Sequence, residues 1–460
     1  MAVENSSVEY ITTTLESQRK FFNSGATLDI EFRKQMLKRL LEAMQKWEKP
    51  LAEALWHDLH KSYEEAYMTE LSIVNGEIRN HLKHLSSWAA TKRCGSPLKM
   101  FPSRSKVMSE PLGNTLIIAP WNYPVQLLLN PLVGAISAGC TAILKPSPYV
   151  PNVAMVLEQM IDDTFDDEYI AIVQGNRDVN KALLAERFDL IFFTGSPVLG
   201  REVMAAAAKH LTPVVLELGG KSPCIVDKEA DIKVAAKRIA WGKSLNAGQT
   251  CIAPDYLLVH QDVKEQFIEA LCKAFRSLLG RKPNKTKHFV RIVSDNAFRR
   301  LVGYLDNGVI RFGGSHDIEE RFIEPTLLDN VSPEAPVMQE EIFGPIFPLL
   351  TFSDTEEAIA FVRKREKPLA FYYFGDPAKG EEVLQRTSSG GACLNDVIMH
   401  IANENIPFGG VGNSGMSAYH GEESFRVFSH RKSVVTTTTR VDVPFRYMPY
   451  RLFSLIKKLM

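Results

Sequence analysis

The chain has 460 residues, of which 45% are hydrophobic and 23% are charged. Those values are ordinary for a globular protein, and the length is sufficient for two or three domains with sizeable cores. Lys and Arg together number 54, as do Asp and Glu, so the net charge of zero gives no electrostatic argument for a nucleic-acid partner.

The cysteines show no Cys-x-x-Cys or Cys/His spacing, which argues against a zinc site and against a disulfide scaffold. The six positions are Cys94, Cys140, Cys224, Cys251, Cys272 and Cys393. A reducing compartment is therefore expected. Because neither a signal peptide nor an apolar segment of about 20 residues is visible, we expect a cytoplasmic protein without a bound metal.

The N-terminal hundred residues are predicted to be helical, and the next hundred alternate between strands and helices. Apolar side chains from Phe32 to Trp47 recur at helical spacing, and Pro50 ends that helix or opens the next. Short runs rich in Ile, Val, Leu and Phe then occur at residues 115–119, 141–145, 169–173, 190–193 and 213–218. Helical stretches separate them at residues 131–139, 152–161, 178–186 and 197–209. This alternation indicates a doubly wound parallel sheet of the nucleotide-binding kind, although no GxGxxG follows its first strand.

A second α/β region begins after Glu217 and extends to about residue 415. Asp231 is expected to cap its first helix, which ends near residues 246–248, where Asn and Gly are typical of a helix end. The later run SVVTTTT (residues 433–439) has strong strand propensity and little charge. We expect it to pair with another subunit or another domain, because a bare edge of this kind promotes aggregation.

The stretch VLELGGKSP (residues 215–223) resembles the end of a phosphate-binding loop. Such a loop requires a glycine, four further residues and then Gly-Lys-Ser/Thr. The first of those positions is occupied by Val215, so the phosphate-cradling turn is not encoded. Glu217, in front of the two glycines, therefore needs another explanation.

Several polar groups follow the predicted strands at the sheet edge where open α/β proteins bind ligands. Asn122 follows the first strand, Lys145 ends the second, and Ser196 is the predicted N-cap of a helix that could hold a pyrophosphate. Cys251 lies on a loop after a helix and a glycine turn. Taken singly, each has an ordinary structural explanation: turn chemistry, a surface lysine, a helix cap or a buried thiol. Together they indicate one ligand-binding rim, with a carboxylate and a thiol following in sequence.

Seven motifs occur in the order found in aldehyde dehydrogenases: PWNYP, LKPS, FTGS, LELGGKSP, GQTCIAPDY, EEIFGP and IPFGGVGNSGMSAYHG. The sequence resembles that family over roughly residues 10–440. GNSGMSAYHG and the short N-terminus resemble its class 3 branch. The resemblance implies an α/β fold whose doubly wound cofactor domain comprises residues 1–92 and 112–216 and whose α/β catalytic domain comprises 217–425. It also implies a small β oligomerisation element (93–111 and 426–445) and a tail (446–460).

The resemblance assigns three catalytic roles. Cys251, the cysteine of GQTC, would add to an aldehyde, and the resulting oxyanion would be held by the Asn122 amide and the Cys251 backbone N–H. Glu217 would be the general base that activates water against the thioester, and it is also a candidate to deprotonate Cys251.

The resemblance also implies that the cofactor is NAD or NADP. Lys145 would bind the adenine ribose and Glu341 the nicotinamide ribose, while Gly195 and Ser196 would face the pyrophosphate. The expected cofactor-binding residues are Trp121, Lys145, Ser147, Gly195, Ser196, Glu341 and Phe343, the last packing near the nicotinamide ring.

One position departs from the family pattern. Many NAD-preferring relatives carry a glutamate three residues after the lysine, where it holds the 2′-hydroxyl of the adenine ribose, whereas this chain has Pro148. A carboxylate there would repel the 2′-phosphate of NADP, so its absence predicts that NADP is accepted as well as NAD.

Class 3 relatives oxidise medium- and long-chain aliphatic and aromatic aldehydes, which is the expected substrate class. Tyr123 is the expected substrate-binding residue, and with Leu127 and Leu128 it forms either an apolar wall or part of the core. Residues 395–408 are the expected tunnel mouth, in which His400 has a structural role. Two alternatives remain: a CoA-acylating dehydrogenase, which usually lacks the glutamate that Glu217 supplies, and a non-catalytic binding or structural relative.

The class 3 resemblance and the run at 433–439 favour a homodimer over a tetramer. The C-terminal FRYMPYRLFSLIKKLM mixes aromatic residues with Arg and Lys. We expect this tail to dock on the protein, with contact to a membrane surface as the alternative.

Overall fold

The computed structural model describes residues 3–450, 453, 454 and 457. The rest of the predicted tail, at residues 451, 452, 455, 456 and 458–460, lies outside the described residues, and these belong to the segment for which membrane contact was considered. Among the described residues no helix is long and apolar enough to cross a bilayer.

The helices and strands alternate through most of the chain. In chain order the helices are α1 (Val8–Asn23), α2 (Ile30–Lys46), α3 (Glu48–Leu59), α4 (Tyr63–Ala66), α5 (Ser72–Ala89), α6 (Gln126–Ala138), α7 (Pro151–Thr164), α8 (Arg177–Ala185), α9 (Pro197–Ala208), α10 (Ile232–Ser244), α11 (Lys264–Leu279), α12 (Asp295–Val302), α13 (Thr355–Arg363), α14 (Pro377–Arg386) and α15 (Glu422–Val427). The strands are β1 (Lys92–Cys94), β2 (Arg104–Pro111), β3 (Asn114–Ile118), β4 (Thr141–Lys145), β5 (Ile170–Ile172), β6 (Leu190–Thr194), β7 (Val214–Glu217), β8 (Pro223–Val226), β9 (Tyr256–His260), β10 (Val309–Phe312), β11 (His316–Asp317), β12 (Phe322–Ile323), β13 (Thr326–Asp329), β14 (Ile346–Phe352), β15 (Ala370–Phe374), β16 (Gly391–Leu394), β17 (Gly415–Met416) and β18 (Ser429–Thr436).

The N-terminal region is helical, as predicted. Met36, Leu37 and Leu40 lie on the buried face of α2, and Asp29 caps its first turn by accepting from the Glu31 N–H at 3.1 Å. Pro50 lies in the first turn of α3, where its missing N–H costs no helical hydrogen bond. Pro50 was predicted either to end one helix or to begin the next, and in the structure it lies at the beginning of α3.

The predicted doubly wound sheet is present, with strand order β17-β7-β6-β3-β4-β5. The pairs formed among β3, β4, β5, β6 and β7 are all parallel, and only β17 is antiparallel. Side chains of β3 alternate between two cores: Leu116 and Ile118 pack in a cluster that includes α1 and α9 residues, and Ile117 packs in the cluster that includes α6. The sheet is therefore covered on both faces, which explains its continuous apolar strands.

Helix α6 begins earlier than predicted. The prediction began at Pro131, but the helix starts at Gln126 and contains Pro131. A carboxylate distant in sequence caps its first turn, since Glu70 Oε2 accepts from the backbone N–H groups of Val125 at 2.8 Å and Gln126 at 3.3 Å. The local sequence cannot reveal such a tertiary cap, and for that reason the predicted boundary was wrong.

The second sheet has strand order β10-β13-β14-β9-β8-β15-β16, and its pairs are parallel except that between β10 and β13. Helix α10 is capped by Asp231, whose side chain accepts from the Val234 N–H at 3.1 Å, and it ends at Ser244 just before the predicted stop.

A third sheet, β1-β2-β18, is formed by two distant segments of the chain. Strand β18 pairs antiparallel with β2 from Ser429 opposite Pro111 to Thr436 opposite Arg104. The predicted strand at 433–439 therefore ends at Thr436. It was expected to pair with another subunit or another domain, and in the structure it pairs with β2 of the same chain.

The predicted domain boundaries stay a prediction. Sheet membership changes between β7 and β8, close to the predicted boundary at residues 216 and 217. The chain later returns to the first sheet, because β17 pairs with β7 with Gly415 opposite Glu217.

Candidate active site

The candidate site begins at the carboxyl edge of the first sheet. The strand register places Ile118 beside Lys145 and Phe193, and Thr194 beside Glu217. The segments that carry the predicted site residues leave the sheet from these positions. The fold thus brings together groups that are up to a hundred residues apart in sequence.

A groove of about 670 Å³ lies along this edge. Five of the predicted cofactor residues line it: Trp121, Lys145, Ser147, Gly195 and Ser196. Of the other two, Phe343 adjoins the groove through an edge-to-face contact, in which its ring lies 5.4 Å from that of Trp121. Glu341 lies two residues before Phe343 in the chain. Sequence reasoning missed other lining residues, among them Arg177 and Asn180 of α8.

The start of α9 offers an anion site in this groove. Ser196 is the N-cap and accepts from the Leu199 N–H at 3.4 Å, and Pro197 occupies the first helical position. A Cβ on Gly195 would lie 2.6 Å from the Phe193 ring, so any larger residue would force that ring to move. Free N–H groups and the positive end of the helix dipole suit a pyrophosphate here.

Lys145 is buried in the groove wall. Its ammonium donates to the Pro146 carbonyl at 2.8 Å, and burial lowers its pKa to about 8. An ammonium has three protons to donate, and no other acceptor among the described residues takes the remaining two. A ligand oxygen, such as a ribose hydroxyl, fits this donor.

The loop before Cys251 has an unusual backbone. Asn246, Ala247 and Gly248 have φ values of 50°, 52° and 72° in a tight turn after α10. A Cβ on Gly248 would lie 2.4 Å from the Gly344 carbonyl oxygen, so this turn packs directly on the segment that carries Phe343. The strained turn is buried and is therefore fixed by its surroundings.

Asn122 lies against the same loop. Its side-chain amide donates to the Gln249 carbonyl at 3.1 Å, two residues before Cys251. The neighbouring Tyr123 bonds Thr250, with 2.7 Å between the hydroxyl oxygens. An amide donor is thus held next to the thiol's loop.

Glu217 ends β7 with its carboxyl group buried. Among the residues that the structure describes, neither carboxyl oxygen has a hydrogen-bond partner, and burial raises the pKa of this group well above its ordinary value. Burial also raises the pKa of the Cys251 thiol, and the carboxylates of Glu341 and Glu217 raise it further. Both acids therefore lie within electrostatic reach of one thiol, which is protonated at neutral pH.

Glu341 is held close to the two glycines that follow Glu217. A Cβ on Gly219 would lie 2.0 Å from Glu341 Oε2, so the carboxyl group packs directly on this glycine and would have to move if a side chain were added. Burial, followed by the charge of Asp255, raises the pKa of Glu341 to about 8.

Lys221, the lysine of the phosphate-loop-like motif, has a structural partner. It forms an ion pair with Asp255 and donates to the carbonyls of Val337 and Glu340, both at 2.9 Å. Asp255 in turn accepts from the Ile342 N–H at 2.9 Å. Lys221 therefore links the LELGGKSP, GQTCIAPDY and EEIFGP segments and is already occupied by protein groups.

The predicted substrate wall is packed in the interior. Tyr123 and Leu127 are nearly buried and Leu128 is fully buried, so their contact with substrate stays a prediction. His400 lies 3.3 Å from the Cys393 sulfur through Nδ1, and burial lowers its pKa to about 4. It remains neutral at physiological pH.

Three buried charged residues were missed by sequence reasoning: Lys61, Glu65 and Glu70. Lys61 contacts Asn122, Glu65 contacts the turn before Cys251, and Glu70 contacts Lys61 and the start of α6. No local signal distinguishes them, because a lysine and two glutamates in a polar segment are ordinarily exposed.

Fold and site define a class: an α/β protein with a groove at the carboxyl edge of a parallel sheet and a thiol on a loop that binds the Asn122 segment. The sequence matches the Aldehyde dehydrogenase family over residues 1–434. The chain belongs to the aldehyde dehydrogenase family.

Two relatives within this family are similar in sequence over nearly the whole chain. It is 47% identical over 436 residues to the 4,4'-diaponeurosporen-aldehyde dehydrogenase of Staphylococcus aureus, covering 94% of this chain and 95% of the relative. It is 45% identical to the dimeric NADP-preferring aldehyde dehydrogenase of Rattus norvegicus, covering 92% and 94%.

Solved structures of aldehyde dehydrogenases have the same fold. The substrate-bound state of Staphylococcus aureus AldH has a TM-score of 0.96 at 46% identity, covering 98% of this chain and 99% of that one. Betaine aldehyde dehydrogenase from the same organism, in complex with NAD+, has a TM-score of 0.87 at 25% identity, covering 96% and 90%. The protein is an aldehyde dehydrogenase that uses NAD or NADP.

Proposed function

We propose that the protein oxidises medium- and long-chain aliphatic or aromatic aldehydes to carboxylic acids through a covalent intermediate on Cys251. The observation that carries this proposal is the buried, partnerless carboxyl group of Glu217 within electrostatic reach of the Cys251 thiol. Leaving such a group without a partner costs about 1–3 kcal/mol or more, an expense typical of functional sites.

The first step is addition of Cys251 to the aldehyde carbon. The thiol must first lose its proton, and Glu217 is the base for that transfer. The new S–C bond forms as the C=O π bond breaks, leaving a negatively charged oxygen. The Asn122 amide and the Cys251 backbone N–H donate to this oxygen, and such preorganised donors typically contribute about 3–4 kcal/mol each.

The groove residues would hold NAD or NADP. The α9 N-terminus with Gly195 and Ser196 suits the pyrophosphate, Lys145 suits the adenine ribose, and Glu341 suits the nicotinamide ribose. When bound, the nicotinamide accepts the hydride that the thiohemiacetal carbon loses as its C=O bond re-forms.

The last step hydrolyses the thioester left on Cys251. Glu217 first releases to solvent the proton that it took from Cys251, and it then takes a proton from water while the water oxygen bonds to the acyl carbon. The C–S bond breaks to release the acid, and the Cys251 thiolate takes the second proton back from Glu217. In sum, aldehyde, water and oxidised cofactor give acid, reduced cofactor and a proton. A carboxyl group of raised pKa is an effective proton acceptor once ionised.

The substrate class is supported by the relatives. One relative is named for a diaponeurosporen-aldehyde. The resemblance of this chain to the class 3 branch supports the same substrate class. We further propose a cytoplasmic homodimer, supported by the word dimeric in the name of the rat relative and by six cysteines that are all free thiols.

The test is nicotinamide absorbance with hexanal, before and after treatment with a thiol-alkylating reagent. We expect turnover in the untreated protein, none after alkylation, and none in Cys251→Ala. A Cys251→Ala variant that still reduces the cofactor at the wild-type rate would refute the proposal. A panel from acetaldehyde to hexadecanal and benzaldehyde tests the substrate class, and a preference for acetaldehyde would contradict it.

A further inference from the structure

Three buried charged side chains lie on the segment before α5, outside the groove and outside the motifs of the candidate site. Lys61 and Glu70 are 0% exposed and Glu65 is 9% exposed. Lys61 and Glu70 form an ion pair of 2.7 Å. A buried ion pair is a weak source of stability, because desolvation of both charges offsets their attraction. The role of the Lys61–Glu70 ion pair must therefore be inferred from its contacts with neighbouring residues.

Lys61 is bound to the Asn122 segment. Its ammonium donates to the Asn122 backbone carbonyl at 3.1 Å and lies 4.3 Å from the centre of the Tyr123 ring. One cation thus contacts the residue with the proposed oxyanion amide and also the residue that bonds Thr250.

Glu70 fixes the same segment from its other end. One carboxyl oxygen binds Lys61, and the other accepts from the N–H groups of Val125 and Gln126 at the start of α6. The turn at residues 122–126 is therefore held at both ends by one ion pair.

Glu65 fixes the loop that carries the thiol. Its carboxylate accepts from the Asn246 N–H at 2.7 Å. The Asn246 side-chain amide then donates to the carbonyls of Asn122 at 3.0 Å and Gln249 at 2.9 Å. The Asn122 amide closes the ring of contacts by donating to Gln249.

We propose that Lys61, with Glu70 and Glu65, positions the Asn122 amide relative to Cys251 for stabilisation of the oxyanion. The backbone carbonyl of Asn122 accepts hydrogen bonds from two buried side chains, the Lys61 ammonium and the Asn246 amide. The backbone that carries the Asn122 amide therefore cannot rotate independently of the thiol loop. None of the three charged residues touches the reacting atoms. The inference rests on the proposed role of Asn122.

The test is a double-mutant cycle of Lys61→Met and Asn122→Ala, read as the rate of the first burst of reduced cofactor with hexanal. We expect Lys61→Met alone to slow the burst by about 10-fold or more, and by less than about 3-fold when Asn122 is already Ala. Nucleotide affinity, measured by fluorescence titration, is expected to change less than about 2-fold.

Arg33→Met is the matched control. Arg33 is also a buried cation bound to α6, through the Ser137 carbonyl at 3.2 Å, but it contacts the opposite end of that helix from Glu70. We expect this variant to lower the melting temperature and leave the burst rate unchanged. An equal loss of burst rate in Arg33→Met would make the effect of Lys61 a general result of destabilisation and overturn the inference.

If Lys61→Met does not fold, Glu70→Gln takes its place in the same cycle, because an amide keeps one acceptor and removes the charge. The inference would be overturned if the variant that folds lowers the burst rate by the same factor whether residue 122 is Asn or Ala. The proposed function would then remain intact. A full burst rate in Asn122→Ala alone would instead refute the proposed oxyanion role, and the two failures are thereby distinguishable.

Discussion

At the scale of single residues, the thiol of Cys251 lies within electrostatic reach of two acids, and its environment opposes its ionisation. Burial, Glu341 and Glu217 all raise its pKa, in that order of size. A buried thiol without cationic neighbours is chemically inert until its proton is removed. The reactivity of Cys251 must therefore come from a base at the time of reaction and from donors to the oxyanion.

The raised pKa of Cys251 makes its alkylation rate depend on pH. A raised thiol pKa means that the thiolate fraction grows as pH rises, by about 10-fold per unit below the pKa. We expect alkylation of Cys251 by iodoacetamide, followed by peptide mass spectrometry without cofactor, to accelerate continuously from pH 7 to pH 9. A rate that is already constant at pH 7 would indicate an ionised thiol and contradict the assignment.

Pro148 concerns cofactor choice. It lies in the groove wall with Lys145 and Ser147 and brings no charge to that wall. We expect Pro148→Glu to lower kcat/KM for NADP by about 10- to 100-fold, equivalent to about 1.4–2.7 kcal/mol, and to leave NAD within about 2-fold.

Pro148→Gln is the control, since it has a similar size without the charge. Equal losses for NADP in both variants would assign the effect to shape. In the unaltered protein, a preference for NAD above about 100-fold would refute the prediction that NADP is accepted.

At the scale of elements, the turn between α10 and Cys251 leaves no space for a side chain at Gly248. Gly248 has φ of 72° and almost touches the Gly344 carbonyl, so an added methyl group must displace one of the two segments. We expect Gly248→Ala to destabilise the protein by about 1–3 kcal/mol and to lower kcat at least about 10-fold.

Gly76→Ala is the matched control within α5, where nothing lies within 4 Å of the added Cβ. It is expected to stabilise the protein by up to about 1 kcal/mol, because alanine favours the helix. Thermal melts and steady-state kinetics measure both variants. Unchanged kcat in Gly248→Ala would contradict the view that this turn fixes the thiol.

The sequence predicted elements well where the signal is local. The strands from β3 to β7 were found from short apolar runs, and the starts of α9 and α10 from Ser196 and Asp231. The start of α6 was missed because its cap, Glu70, lies 55 residues earlier in the chain. For the same reason the positions of Lys61 and Glu65 could not be predicted: their partners are set by the tertiary fold.

At the scale of the whole molecule, the sequence pattern predicted a parallel sheet but not its strand order. The return of β17 to β7 and the pairing of β18 with β2 each join segments hundreds of residues apart. Such register depends on packing between distant segments and leaves no periodic trace. Family resemblance supplied the expected roles of Glu341 and Phe343, which composition and spacing alone would have assigned to the surface and the core.

Subunit association can be tested at the edge strands. Val435 in β18 is 51% exposed, and Val309 in β10, at the edge of the second sheet, is 53% exposed. We expect light scattering to give two chains per particle for the protein and for Val309→Asp, and a shift toward single chains for Val435→Asp, since a charge on a pairing edge opposes association. A dimer unaffected by Val435→Asp would exclude β18 from the interface.

The central claim is that one sulfur atom carries the acyl group and that Glu217 removes it. The most direct measurement is the intact mass of Glu217→Gln after incubation with NADP and hexanal, followed by peptide mapping. The account predicts one burst of reduced cofactor, slower than in the unaltered protein because Glu217 also deprotonates Cys251, and a hexanoyl adduct confined to Cys251. The unaltered protein turns over and accumulates less adduct. Steady turnover in Glu217→Gln, or an adduct on a different cysteine, would contradict it.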